Sequence, residues 1–75
     1  MFNRTVFAAR VKELRNKKSV SQIVVAQLLG VTKTQISDIE NAKTSTALEK
    51  AVILADFFDV PLDYLVGRSD NSKRS

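Results

Sequence analysis

The sequence predicts an all-α fold, a compact bundle of five short helices, and three observations carry that prediction. Apolar residues recur three and four positions apart in segment after segment, and no stretch alternates at the strand period of two. The residues that punctuate those segments, Gly30, Pro61 and Gly67, stand between them and not inside them. Hydroxyl residues sit where helices would start, twice with glutamine or glutamate three positions on. The 75 residues make one domain, near the lower size at which a chain buries enough surface to fold unaided. Neither cysteine nor histidine is present, so disulfides and cysteine–histidine zinc sites are excluded and packing must supply the stability.

The first helix is expected over about Val6 to Lys17, where Phe7, Val11 and Leu14 share one face and Arg10, Lys12, Glu13 and Lys17 surround it. Lys18-Ser19-Val20 is a short connection. Ser21 can cap a second helix that faces inward through Val25, Ala26 and Leu29. Gly30 ends it as a left-handed residue past the C-terminus, where a side chain costs energy, and Val31 fills the corner. Thr32-Lys33-Thr34-Gln35 reads as a capping box opening a third helix, with Ile36 and Ile39 as its buried stripe and Asn41-Ala42-Lys43 as its end. Thr46-Ala47-Leu48-Glu49 reads as a second capping box, opening a fourth helix whose core face is Leu48, Val52, Ala55 and Phe58. Val60-Pro61 breaks it. Pro61 suits the first turn of a short fifth helix, Leu62 to Val66, closed by Gly67. The domain is expected to span residues 1–67, and the polar basic stretch 68–75 to be a disordered tail.

The net charge of +4 is unevenly spread. Residues 1–18 hold Arg4, Arg10, Lys12, Arg15, Lys17 and Lys18 against Glu13, whereas residues 45–67 hold Lys50 against Glu49, Asp56, Asp59 and Asp63. Such polarity orients a molecule in the field of a polyanion; the alternative is that the basic segment is a solvated helix face. The three aspartates fit no metal-loop spacing, and there is no glycine-rich phosphate loop, so no catalytic residue, metal or cofactor is expected. No apolar run is long enough to cross a bilayer, and residues 1–5 lead into no signal-peptide core. The expectation is a soluble cytoplasmic protein.

Two short helices joined by a glycine-containing turn form a helix-turn-helix, here over about residues 21–41. Ala26 must be small where the helices cross, and Val25, Leu29, Val31, Ile36 and Ile39 close the core between them. Lys33, Thr34, Ser37 and Asp38 are then left facing outward near the start of the third helix. A polar helix end projecting in this way fits the major groove of B-DNA, about 12 Å wide.

The string Ser21-Gln22, Ala26, Leu29-Gly30-Val31, Ile36-Ser37 and Ile39-Glu40 continues through Leu48, Leu54-Ala55, Val60, Leu62-Asp63, Leu65 and Gly67. It resembles the Cro and phage-repressor helix-turn-helix domains, the XRE type, over residues 7–67. The resemblance implies a lambda-repressor-like fold and double-stranded DNA as partner. It implies that the third helix is the recognition helix, with Lys33, Thr34 and Asp38 at base-contacting positions and Gln35 and Ser37 as helpers. The chemistry agrees: lysine donates to guanine O6 and N7, a threonine methyl packs on thymine, and aspartate accepts from cytosine N4. It implies phosphate contacts from Gln22 and Thr32 at helix starts, and from Asn41, Lys43 and Thr44 in the loop beyond the recognition helix. Arg15 and Glu40 are implied to pair away from solvent, locking the first helix to the third.

The sequence departs from that family where left-handed glycines are usual, placing Ser19, Ala42 and Asp59 there. Serine and alanine tolerate that conformation poorly, so the loops around residues 19 and 42 are expected to take another geometry. Apolar residues also stand where polar ones are usual: Ile23, Val24, Ile53, Phe57 and Tyr64. Ile53 and Phe57, four apart on one helix face, form with Tyr64 an expected homodimer interface. The alternative is that Phe57 turns inward and the others are isolated exposed apolars. The expected function is sequence-specific transcription regulation, with a homodimer repressing by occupying an inverted-repeat operator. The alternative is an antitoxin-like or bridging module for which a protein partner matters as much as DNA. No small-molecule ligand is implied.

Overall fold

The computed structural model of the protein describes residues 2–73. Five helices follow in chain order: α1 (Arg4–Lys17), α2 (Gln22–Leu29), α3 (Lys33–Glu40), α4 (Leu48–Phe58) and α5 (Leu62–Leu65). Among the described residues there is no strand. α2 packs on α3, α1 lies against α3, α4 and α5, and α5 closes on α4. One apolar core joins all five, with Phe7, Val11, Val25, Ile36, Leu54 and Leu65 fully buried. Burying a side chain of that size contributes roughly 1.5–3 kcal/mol, and so short a chain depends on nearly every one. No helix among the described residues is long and apolar enough to cross a membrane.

α1 begins two residues before its apolar pattern indicated, because Asn3 caps it: the side-chain oxygen accepts from Val6 N at 3.1 Å. Asn3 N donates to Val66 O, which ties the start of the chain to α5. Ser21 caps α2 as the sequence predicts, accepting from Val24 N. Pro61 stands just before α5 instead of in its first turn, with an extended backbone.

The helix ends share one design. Ser19, Gly30, Ala42, Asp59 and Gly67 have left-handed backbones, and each sits just past a helix. The residue after each donates its amide to the carbonyl five positions back: Val20 to Arg15, Val31 to Ala26, Lys43 to Asp38, Val60 to Ala55 and Arg68 to Asp63. This Schellman closure satisfies carbonyls that a helix end leaves open. The expectation of another geometry around residues 19 and 42 is therefore corrected, since both take the left-handed form without glycine. Closure of the helix end outweighs a local cost of about 1–2 kcal/mol.

Two corrections concern α4. Its expected capping box does not form: the residue before the helix is Ala47, which offers no side-chain cap, and Thr46 falls one position too early. Its core face is Ala51, Leu54, Ala55 and Phe58, whereas Leu48 and Val52 are 70% and 39% exposed. α4 is apolar around most of its circumference, so spacing alone did not choose the inward stripe, and the small Ala51 carried little weight in the pattern.

The stretch after Gly67 begins attached to the body. Arg68 N and Ser69 N both donate to Asp63 O, and Arg10 donates to Ser69 O at 2.8 Å and to the Asp70 carboxylate at 2.9 Å. Arg74 and Ser75 of the expected tail, like Met1 of the expected domain, lie outside the described residues.

Candidate nucleic-acid interface

The corner fixes where α3 starts. Around Gly30 a Cβ would meet nothing, so its left-handed backbone alone calls for glycine. Val31 packs against the core behind it. Thr32 Oγ accepts from Gln35 N at 3.1 Å while Gln35 Oε1 accepts from Thr32 N at 2.9 Å, the expected capping box. These reciprocal bonds hold the first turn. Lys33 and Thr34 lie in that turn, exposed, and their side chains make no hydrogen bond or ion pair among the described residues. Their backbone amides precede the first intrahelical bond and stand at the positive end of the helix dipole.

The remaining base-reading candidates are less free. Ser37 and Asp38, expected outward, are half-buried. Ser37 Oγ accepts from Asn41 Nδ2 at 3.4 Å, and the carbonyl end of Gln35 belongs to the cap. The Asp38 carboxylate has no partner among the described residues.

A buried network aims this helix. Arg15 Nε donates to Glu40 Oε2 at 2.6 Å and Arg15 Nη2 to Glu40 Oε1 at 3.1 Å, a two-pronged pair. Arg15 Nη1 donates to Val20 O at 3.0 Å, and Gln22 Nε2 donates to Glu40 Oε1 at 3.1 Å. The end of α1 and the start of α2 thus meet at the carboxylate that ends α3, whose side chain is only 3% exposed, and Arg15 ties in the turn between α1 and α2. Hydrogen bonding to Glu40 raises the Arg15 pKa above its ordinary value; desolvation opposes that rise and charge attraction adds to it. One hydrogen of the Gln22 side-chain amide is spent on Glu40; the second, and the backbone N–H at the first position of α2, are the donors left for a phosphate.

The far end of α3 is built differently. After the left-handed residue, α1, α2 and α4 each place a valine against the core, namely Val20, Val31 and Val60. α3 places Lys43 there, exposed, with Thr44 exposed beside it. The corner that turns an apolar side chain inward after α1, α2 and α4 here presents an ammonium, as the corner after α5 presents the exposed Arg68. Thr32 and Asn41 are also exposed. Between α3 and the stretch that leads into α4 lies an open cleft, lined among others by Gln35, Asp38, Thr44, Ser45, Thr46 and Lys50.

Of the three residues expected at a dimer interface, Ile53 alone is exposed, at 40%. Phe57 is half-buried against the core, edge-on to Phe58 with ring centres 5.2 Å apart. Tyr64 is half-buried beneath Arg10, whose guanidinium carbon lies 4.0 Å from the ring centre. The apolar neighbours exposed with Ile53 on α4 are Leu48 and Val52. Sequence reasoning missed three features: the Gln22–Glu40 bond, the Arg10 clamp on Tyr64, Ser69 and Asp70, and Lys50 in the cleft. Arg10 sits three positions after Phe7 and next to Val11, at the rim of the buried face, which was the available signal. The Gln22–Glu40 bond spans 18 positions and has no local signature.

A bundle of this shape, with a glycine corner and a capped helix head turned outward, defines the helix-turn-helix class. The helix-turn-helix family model matches residues 11–65, and the chain belongs to that family, in its XRE type. The HTH-type transcriptional regulator AnsR of Bacillus subtilis is 41% identical over 59 residues, which cover 79% of this chain and 51% of AnsR. The chain therefore spans about half the length of that relative. A transcriptional regulator from Listeria innocua superposes with a TM-score of 0.81 at 25% identity, covering 92% of this chain and 64% of that one. The P22 c2 repressor, in complex with a synthetic operator, superposes with a TM-score of 0.78 over 85% of this chain and 97% of its own; at 23% identity this likeness is one of fold. These relatives are regulators and not enzymes.

Proposed function

We propose that the protein is a sequence-specific double-stranded-DNA-binding transcription regulator, a cytoplasmic repressor that acts as a homodimer on an inverted-repeat operator. One observation carries this reading: Lys33 and Thr34 stand exposed and unpartnered at the head of a helix held by a cap and braced from behind by the Arg15–Glu40–Gln22 network. A charged, pre-positioned helix head of this kind suits base edges in the major groove. Lys33 and Thr34 read bases, with Asp38 accepting from cytosine and Gln35 and Ser37 assisting. Lys43, Thr44, Asn41, Thr32 and the amide of Gln22 hold phosphates and set the register. That AnsR is a transcriptional regulator and the c2 repressor binds an operator supports the same reading.

A single recognition helix reads few base pairs, each contributing roughly 1–3 kcal/mol of discrimination. Two copies related by a two-fold axis read two half-sites about 34–36 Å apart, or a multiple of that. Ile53 is the centre of the proposed contact, with Phe57 and Tyr64 at its edge. Equilibrium binding across a salt series tests the DNA claim. A dimer neutralising about six phosphates gives a slope of log K against log salt near −5, and a flat line contradicts it. Sedimentation of Ile53→Asp tests the dimer: a monomer is expected, and an unchanged oligomeric state removes this interface.

The second reading, a protein-interaction module, is favoured by the exposed Ile23, Val24 and Leu28 on α2. A chain that binds no duplex from a random pool and sediments as a monomer would leave that reading in place of the first.

A further inference from the structure

We infer that Lys50 of α4 is a DNA-backbone anchor, seating one phosphate in the cleft it shares with Asp38. This inference rests on the DNA-binding reading above and adds a residue from outside the helix-turn-helix. The cleft is lined by Thr44, Ser45, Thr46 and Lys50 from the stretch that leads into α4 and by Asp38 from α3. Among the described residues, neither the ammonium nor the Asp38 carboxylate makes a hydrogen bond or an ion pair. Opposite charges therefore line one open cleft with their bonding capacity unspent.

DNA matches that capacity. A carboxylate beside a phosphate chain is repelled unless a cation lies close by, and Lys50 is the cation that the cleft supplies. Its place is not a by-product of a basic surface, because residues 45–67 hold four carboxylates and this single cation. Lys50 is also half-buried, as a lysine is when its carbon stem lies along the protein and its charged end reaches water, and its ammonium has no partner among the described residues. A nucleotide offers both complements at once: an exocyclic amine on its base for Asp38, and a phosphate for Lys50 and the three hydroxyls.

The test compares wild type, Lys50→Met and Lys50→Arg by fluorescence anisotropy on two duplexes, one selected from a random pool and one scrambled, from about 50 to 200 mM salt. Lys50→Met is expected to lower affinity for both duplexes by the same factor and to reduce the salt slope by about 0.9 per protomer, so that the wild-type advantage shrinks about 3.5-fold per protomer across that range. Lys50→Arg keeps the slope. A Lys50→Met variant with the wild-type slope, or one that loses affinity for the selected duplex alone, overturns the inference. Thermal melting of the variant checks the fold, and Lys50→Gln carries the same reading should Lys50→Met melt early. A steep wild-type slope that the variants do not alter sinks this inference alone; a wild-type chain that binds no duplex sinks the function reading with it.

Discussion

At its head α3 follows a turn taken by glycine, a corner filled by valine and a threonine–glutamine box that engages the amides of Thr32 and Gln35. At its tail the same left-handed turn is taken by alanine, a lysine stands where the valine would be, and the next helix opens with no side-chain cap. Both ends make the same backbone closure, five residues back. The difference lies in the side chains. The head is stabilised by its own local chemistry, and so Lys33 and Thr34 are held in place before any partner arrives. The tail gives up local stability, keeping strain at Ala42 and positive charge at Lys43, and both suit a loop that follows a phosphate chain.

The largest expected break is at the brace that supports the head. Arg15→Met leaves the Glu40 carboxylate buried with only Gln22 to meet it. Losing one partner of a buried pair costs about 3 kcal/mol, and urea unfolding should report a loss of that order; a loss within 0.5 kcal/mol, the order of an exposed surface change, would show that the pair is dispensable. Next comes the corner itself. Gly30→Ala introduces no clash, so its cost is that of the backbone conformation alone, about 1–2 kcal/mol. At the other end the sign reverses. Ala42→Gly relieves the left-handed strain and should stabilise the domain by about 1 kcal/mol. A destabilising Ala42→Gly would mean that the methyl group makes a contact worth more than the strain, and the contrast between the two ends would lose its physical basis. The smallest effect is expected at Ala47→Ser, which supplies the missing cap of α4 and should add about 0.5–1 kcal/mol in the same assay.

Much of this was legible from short stretches. Gly30, the Thr32–Gln35 box and the Ser21 cap are written in three or four consecutive residues, and local turn chemistry decides them. The buried face of α3 was legible because it carries one apolar stripe against a polar remainder, and that of α2 because Val25, Ala26 and Leu29 take their register from the Ser21 cap and the Gly30 turn, even though Ile23, Val24 and Leu28 make the rest of the helix apolar too. α4 was not, because Val52, Ile53, Leu54, Phe57 and Phe58 surround it, and the choice of inward face is made by α1 and α5. Ser19 and Ala42 were misread for a related reason: residue preference disfavours their conformation, and closure of a whole helix end overrides that preference. In the candidate site, the Arg15–Glu40 partnership came through resemblance, whereas the bond from Gln22 depends on how α2 and α3 pack against each other, and Asp38 is half-buried at the cleft that α3 makes with residues 44–50.

In the proposed function the exposed head of α3 reads bases. Selection of bound duplexes from a random DNA pool, run in parallel on the wild type and on Lys33→Ala, tests this most directly. The wild type should enrich an inverted repeat, and the variant should enrich the same repeat with its preference relaxed at one symmetric pair of positions. Enrichment of no motif, or an identical motif from both proteins, would contradict it.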